Sequence, residues 1–511
     1  MNQTDIDSKI KGLDELAKHA EELRWQGKRI VQCHGVFDLL HPGHIRHFEA
    51  AKREGDVLIV TITMDQYVNK GPGRPVFNQR LRAESVAALQ VVDFVAVNRW
   101  PTAVEAIRLL KPHVYVKGSE YVSAEGDLTG MIRHEEDAIR SVGGRIQFTH
   151  EITFSSTELL NTHFDVYPEE AQAFLKEFRQ QYSAADVIKR LDSLRSLRVL
   201  VIGETIIDEY HYCQAMGKSP KEILVPTRYL HEEAFAGGAL ACANHLAGFC
   251  EDVHLVSCLG SRNSHEEFIR AHLKSNVRPM FFHRDDSATI VKRRYLEYAF
   301  LSKMFEVCFL DDSPIPQRIE QEICAYLRGV IGEYDLVLVA DYGHGLVGPE
   351  IIKELCVGAR FLAVNTQTNS ANTGYNLITK YPRADFICID EPEVRLACHD
   401  RLRGVRELIE EIAHELGSRH VVITRGHQGS MSYTVEDGLS EVPVFSSKVV
   451  DRVGAGDAYL SVAAPCAAVG MPGNLVGFVG NAVGALKVQI IGNRSSVEPV
   501  PLYKFITALL K

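Results

Sequence analysis

The stretch RIVQCHGVFDLLHPGHIRHFEAAKREGDVLIVTIT, residues 29–63, decides the fold of the region around it. An apolar run (29–37) enters a turn holding Pro42 and Gly43, a helical run (44–55) follows, and a second apolar run (56–63) completes the pattern. Strand, helix and strand in that order make the βαβ unit of a parallel sheet. The same rhythm continues outward through QRLRAESVAALQ (79–90), VDFVAV (92–97), AVEAIRLL (103–110) and HVYVKG (113–118), and it ends near FSSTELLNTHF (154–164). Upstream, Ile10, Leu13, Leu16 and Leu23 fall near helical spacing, which predicts an N-terminal helix. Residues 166–195 are polar and helical in composition and lack a strand run, so they read as a helical connector. A second αβ region opens at LRVLVIGETIIDEY (197–210) and runs on to the C-terminus. The expected class is therefore α/β, divided into 1–165, 166–195 and 196–511.

A chain of 511 residues exceeds what one hydrophobic core usually supports, which is roughly 250 to 300 residues. An apolar fraction of 46% and a charged fraction of 24% are those of globular proteins. A net charge of -10 argues against a general nucleic-acid or anionic-membrane binder, so neither partner is expected. The eleven cysteines, Cys33, Cys213, Cys242 and Cys250 among them, lack the tight pairs of a zinc ribbon or disulfide framework. They read as reduced thiols. With no apolar signal-peptide core and no uncharged run of about 18 apolar residues, a cytoplasmic location is expected.

In GVFDLLHPGHIRHFEAAKREGD (35–56), His41 and His44 lie at a strand-to-helix junction, where a helix N-terminus favours an anion. Two imidazoles there can donate hydrogen bonds to a phosphate whose charge grows in the transition state, and Gly43 lets the backbone approach closely. Lys52, about two turns along, is a candidate for the outer phosphates or a solvated helix residue. Cys33, His34, His41 and His44 as a zinc set is disfavoured, because ligand types on one strand and turn rarely converge.

This segment resembles the HxGH nucleotidyltransferase superfamily over roughly residues 29–165. Supporting matches are Lys117 and Gly118 in VKGSEY, the GRP turn at 73–75, Gln79 with Arg80, and Ser155, Ser156 and Thr157 in FSSTELL. The resemblance implies a Rossmann-like domain in which a sugar phosphate oxygen attacks the α-phosphorus of a nucleoside triphosphate and releases pyrophosphate with Mg²⁺ assistance. His41 and His44 would be catalytic. Gly35, Phe37, Lys52, Lys117, Ser155, Ser156 and Thr157 would bind the nucleotide, and Asp38 the substrate. Arg74 and Arg80 stand open between phosphate contact and surface charge. The SST sequence favours ATP, with CTP as the alternative.

Further along, VVDRVGAGDAYLSVAA (449–464) places a glycine turn between a strand end and a helix. Gly454 and Gly456 expose successive amides as an anion nest at a helix N-terminus. Asp457 then stands where a carboxylate can accept the proton of an attacking hydroxyl. The surrounding region resembles the ribokinase or PfkB carbohydrate kinases over about residues 197–500. On that resemblance, Asp457 is catalytic, and Gly454, Ala455, Gly456, Thr424 in VVITRGHQGS and Asn481 in VGNAVGALKV bind nucleotide. Asp208, Gly237, Gly238, Asn244 and Asp341 bind the sugar. Residues 219–230, SPKEILVPTRYL, would form a small β lid. Lys292 and Arg293 either grip a substrate phosphate or face solvent, and Asn481 is equally readable as a polar helix-surface residue.

Together the halves resemble the bifunctional heptose-phosphate kinases and adenylyltransferases, in which the kinase comes first, so a reversed order is expected here. That implies two activities on small sugar phosphates and nucleoside triphosphates, and a homodimer through the kinase domain. The alternative is a cytidylyltransferase for a polyol or other sugar phosphate whose kinase half only binds ligand. Departures from the kinase pattern are Asn365, Thr366 and Gln367 for DPK, Val453 for Thr, and Asp390 with Glu393 for NxxE. Those two carboxylates are the expected indirect Mg²⁺ site, with Arg452 offsetting part of their charge.

Overall fold

The computed structural model describes residues 3–118, 131–149, 167–446 and 448–511. Ser155, Ser156 and Thr157 lie outside the described residues. The chain forms two compact units: Met1–Tyr167, Ser183–Ala185 and Tyr503–Lys511 in the first, Pro168–Tyr182 and Asp186–Leu502 in the second.

Among the described residues of the first unit, β1 (Ile30–Gly35), β2 (Val57–Thr63), β3 (Phe94–Asn98), β4 (Val114–Gly118) and β5 (Arg145–Thr149) make a sheet of order β3-β2-β1-β4-β5. All its pairs are parallel. Successive side chains of a strand face opposite ways, and the unbroken apolar run of β2 uses both faces. Leu58, Val60 and Ile62 join Val31, Cys33, Phe48 and Val86 in one core. Val57 and Ile59 join Leu13, Leu16, Ile30 and Leu110 in the other. The N-terminal segment is two helices, Gln3–Lys9 and Leu13–Trp25, rather than one through Ile10. Gly12 is extended at the N-cap, and Ile10 forms a parallel bridge to Val95. Chain order turns around at β1, so the crevice at its carboxyl end is the natural ligand site of this sheet.

The second unit has a nine-stranded sheet of order β10-β9-β6-β13-β14-β15-β16-β17-β18. Its strands are β6 (Arg198–Gly203), β9 (Asp252–Arg262), β10 (Val277–Ala288), β13 (Leu336–Asp341), β14 (Leu362–Thr366), β15 (Phe386–Asp390), β16 (His420–Thr424), β17 (Ser430–Thr434) and β18 (Gly438–Val442). It is parallel up to β16 and antiparallel at β17 and β18. The turnaround falls between β6 and β13, where Gly203 is so close to β13 that a Cβ would stand 2.1 Å from the Ala340 carbonyl oxygen. A smaller sheet of order β12-β11-β7-β8 comprises β7 (Thr205–Ala215), β8 (Thr227–Gly238), β11 (Ile290–Glu297) and β12 (Ser302–Phe309). Residues 219–230 fall mostly in the connection between β7 and β8, with strand resuming at Thr227.

No helix among the described residues is long and apolar enough to cross a membrane.

Candidate active sites

In the first unit, β1 delivers the chain to His41, the N-cap of the helix Pro42–Lys52. Pro42 at the first helical position needs no amide partner. His41 Nδ1 accepts the Gly43 amide at 3.2 Å, which puts the ring proton of the neutral imidazole on Nε2. The rings of His41 and His44 stack with centroids 3.9 Å apart. Burial, then its histidine neighbours and Lys70, hold His44 down at about 3, and burial and Lys70 also lower His41. The same surroundings favour the neutral form of both imidazoles, in which each ring can serve as a dipolar donor rather than a cation. Phe37, at φ 49, backs His44 edge-on, and its ring is so close under Gly35 that a Cβ there would meet it at 2.9 Å. Gly35 and Phe37 thus shape the junction, and the buried Phe37 ring is a support beneath it rather than a nucleotide contact.

Several sequence expectations change here. Lys52 ends the helix, and ten residues at 1.5 Å each separate it from Pro42 by about 15 Å. Its ammonium bonds the Asp56 carbonyl and the Asp93 carboxylate, tying the helix to the strand ends behind the site. Asp38 is an anchor instead of a free substrate acceptor, because it takes the amides of Val76 and Phe77, both at 3.0 Å, and sits 3.6 Å from Arg74. Lys117 pairs with Glu135 at 3.0 Å with both side chains nearly buried. Arg80 is a surface partner of Glu84. Gln79 exchanges bonds with Asp65. His34 bridges Thr61 and Thr63.

Two residues were not singled out from sequence. Arg82, fully buried, donates to the carbonyls of Val36, Thr63 and Phe77 and to Asp65, so one guanidinium fixes the carboxyl ends of β1 and β2. Lys70 acts electrostatically on both His41 and His44, and burial with Arg74 close by lowers its ammonium to about 8. An arginine inside an amphipathic run, QRLRAE, resembles any solvated residue, and the sequence gives no sign of Arg82's acceptors.

In the second unit, a cavity of about 210 Å³ is lined by Asp208, Gly238, Lys292, Arg294, Tyr342 and the turn Arg452–Asp457, among others. Gly454 is the N-cap of the helix Ala455–Ala468 at φ 75, a conformation that favours glycine. Asp457, in the first helical turn, accepts the Tyr342 hydroxyl at 2.8 Å. Burial pushes its carboxyl up to about 6; the Tyr342 bond opposes this, Asp208 adds to it, and Lys487 and Lys292 oppose it. The turn is braced from behind. Lys487, fully buried, donates to the carbonyls of Val453 and Gly492, both at 2.7 Å. Asp451 accepts from Tyr210, Lys303, Val453 and Gly492, which holds it at about 2 although burial alone would raise it.

Asp208 faces the cavity, bonded to Arg294 and Asn493. The glycine pair gives way to two neighbours: a Cβ on Gly237 would stand 2.1 Å from Asp208 Oδ2, and one on Gly238 2.5 Å from the Glu204 carbonyl. Alternation along β11 corrects the reading of the basic run. Lys292 and Arg294 line the cavity, whereas Arg293 turns away to Glu209 and the Phe309 ring. Lys292 is 9% exposed, and its side-chain ammonium has no hydrogen bond or ion pair among the described residues.

Three more expectations are corrected. Asp341 does not line the cavity; it takes Tyr381, Lys380 and the Gly343 amide and frames the turn that presents Tyr342. Buried Glu204, pushed to about 7 by burial and Asp341, supports the same turn through the Tyr342 and His344 amides. Asn244 binds the His272 carbonyl and the Lys274 amide away from the cavity. Asn481 donates to Ser430, Gly477 and Val442, pinning its helix to β17 and β18 instead of presenting its amide to a nucleotide.

Asp390 and Glu393 form a reciprocal capping box, and Glu393 also takes the Thr368 amide. Asp390 Oδ1 and both Glu393 oxygens are engaged by backbone donors, and no cluster of three or more metal-ligand side chains exists among the described residues. The pair does not fit a magnesium site. Thr424 ends β16 opposite Asp390, partly exposed.

Residues 33–190 match the family described as cytidylyltransferase-like, and residues 352–499 match the pfkB family carbohydrate kinases. A bifunctional protein HldE of Geobacter metallireducens is 38% identical over 173 residues, 33% of each chain. That of Aliarcobacter butzleri is 40% identical over 149 residues, 28% of this chain and 31% of its own. The match thus spans about a third of these relatives' own length. A match of that size carries no support for the expectation of a reversed domain order. Escherichia coli phosphofructokinase-2 in complex with potassium aligns over 62% of this chain and 100% of its own, at TM-score 0.51 and 14% identity, a likeness of fold alone. The chain is an α/β protein with an N-terminal nucleotidyltransferase-like and a C-terminal ribokinase-like domain.

Proposed function

We propose that this chain, cytidylyltransferase-like in its N-terminal region and pfkB-like in its C-terminal region, catalyses two phosphorus transfers in nucleotide-sugar synthesis. In the C-terminal half, ATP supplied with Mg²⁺ phosphorylates a hydroxyl of a sugar that already carries a phosphate, as a heptose phosphate would. Asp457 takes the hydroxyl proton as the oxygen attacks the γ-phosphorus, the amides of the Gly454–Asp457 turn stabilise the transferred charge, and ADP leaves. The observation that carries this reading is Lys292, whose ammonium has no hydrogen bond or ion pair among the described residues and which lies nearly buried in the same cavity as Asp457. An unpaired buried ammonium is costly unless an anion joins it, and the substrate's own phosphate is the anion we assign to it.

In the N-terminal half, a sugar 1-phosphate oxygen attacks the α-phosphorus of a nucleoside triphosphate, and pyrophosphate leaves. His41 Nε2–H and His44 donate to the phosphate in the transition state, and Lys70 and Arg74 attract the polyphosphate. The domain division at 165 and 195, a cytoplasmic location and a homodimer through the kinase half belong to the same proposal.

The test offers ATP, CTP, GTP and UTP to the full chain with a panel of sugars and sugar phosphates, following ADP and pyrophosphate separately. ADP release that requires a phosphorylated sugar, with pyrophosphate release that requires a sugar 1-phosphate, supports the reading. Release of neither with any pair refutes it.

A further inference from the structure

The residues Tyr503–Lys511 belong to the compact unit that holds His41 and His44, although the sequence just before them belongs to the other. Phe505 is fully buried. Its ring lies on Gly71, where a Cβ would stand 2.1 Å from Cδ2 and 2.4 Å from Cε2. Gly71 is at φ 95, so a side chain is excluded twice, by conformation and by the ring. The Gly71 carbonyl accepts the Arg74 amide at 3.3 Å, closing the turn that places Lys70 on one side of the ring's footing and Arg74 on the other. Lys70 is the cation felt by both histidines, and Arg74 pairs with Asp38. Lys511 and Lys504 also press on Lys70 and Asp38 offsets them in part, so four positive charges and one carboxylate gather around one turn. Like charges held this close favour a polyanion among them.

We propose that Tyr503–Lys511 is a working part of the N-terminal site, with Phe505 the positioning residue for the Lys70–Arg74 turn and Lys504 and Lys511 extending its positive face toward the nucleotide polyphosphate. The polyphosphate assignment rests on the nucleotidyl-transfer reading; the clamp on Gly71 does not.

The test compares full-length Phe505→Ala, Phe505→Leu and Lys504→Ala/Lys511→Ala with the natural chain. Hydrogen exchange is followed across residues 64–78, with nucleoside triphosphate KM and kcat for pyrophosphate release and sugar-dependent ADP release as a control. Phe505→Ala is expected to speed exchange in 64–78 and raise the triphosphate KM about tenfold, leaving ADP release within about twofold. Phe505→Leu recovers most of both. The double lysine variant raises KM, flattens its salt dependence and leaves exchange unchanged. Unchanged exchange and KM in Phe505→Ala, or loss of both activities with faster exchange throughout, overturns the proposal. If the natural chain releases no pyrophosphate with any triphosphate, the nucleotidyl-transfer reading fails, and exchange over 64–78 still decides the clamp.

Discussion

The turn at His41–His44 and the turn at Gly454–Asp457 both open a helix, yet they present opposite proton chemistry. At the first, the surroundings of two stacked imidazoles favour their neutral form, and the nearby carboxylate Asp38 is already occupied by backbone amides. At the second, a buried carboxylate is raised toward neutrality and faces the cavity. The difference follows from the nucleophile each would serve. A phosphate oxygen is already an anion and needs donors that follow charge onto the attacked phosphorus, whereas a hydroxyl must lose a proton and needs a base.

The largest effect expected is at the first turn. His44→Ala removes one preorganised donor and should lower pyrophosphate release by about 10² to 10³; undiminished release would break the comparison on that side. At the second turn, Asp457→Asn keeps the shape and loses the acceptor, so sugar-dependent ADP formation should fall by roughly 10² or more. Normal turnover would mean that Asp457 is not the base. A smaller effect sharpens the substrate side. Lys292→Ala should raise KM for a phosphorylated sugar about tenfold, the scale of one charge-assisted hydrogen bond, with the KM of ATP changed much less. Equal rises in both would take Lys292 away from the sugar.

The smallest effect concerns pH. The Asp457 carboxyl is raised to about 6, so the base is present above that pH and kinase turnover should fall as pH drops through it. The Tyr342 bond opposes the rise. Tyr342→Phe should therefore move the acid limb upward by roughly one unit, since a hydrogen bond to a charged group is worth about 1.5 to 3 kcal/mol and one unit is about 1.4. A limb that stays in place while kcat falls uniformly would mean that Tyr342 acts only through structure.

What the sequence shows of this molecule are its local patterns. The alternating strand and helix runs, the HPGH junction and the GAGD turn each lie within one short segment, and their backbone geometry follows from residue type at fixed spacing. The braces of the sites are not local. Lys487 reaches Val453 across 34 residues, Tyr342 reaches Asp457 across 115, and Tyr210 reaches Asp451 across 241. No spacing rule connects such pairs. Some misreadings had a local remedy. Asp390 and Glu393 stand at the i, i+3 spacing of a capping box, which explains the carboxylates without a metal. Strand alternation places Lys292 with Arg294 rather than Arg293. Lys52 and Asn244 had no such signal, because the partners that occupy them are set by the tertiary fold.

The central claim is that the two turns run separate reactions, and the most direct measurement assays each variant for the reaction it should not affect. In the full chain, His44→Ala should release ADP from sugar phosphate and ATP at the natural rate, and Asp457→Asn should release pyrophosphate from sugar 1-phosphate and nucleoside triphosphate at the natural rate. Loss of both activities in either variant would contradict the account.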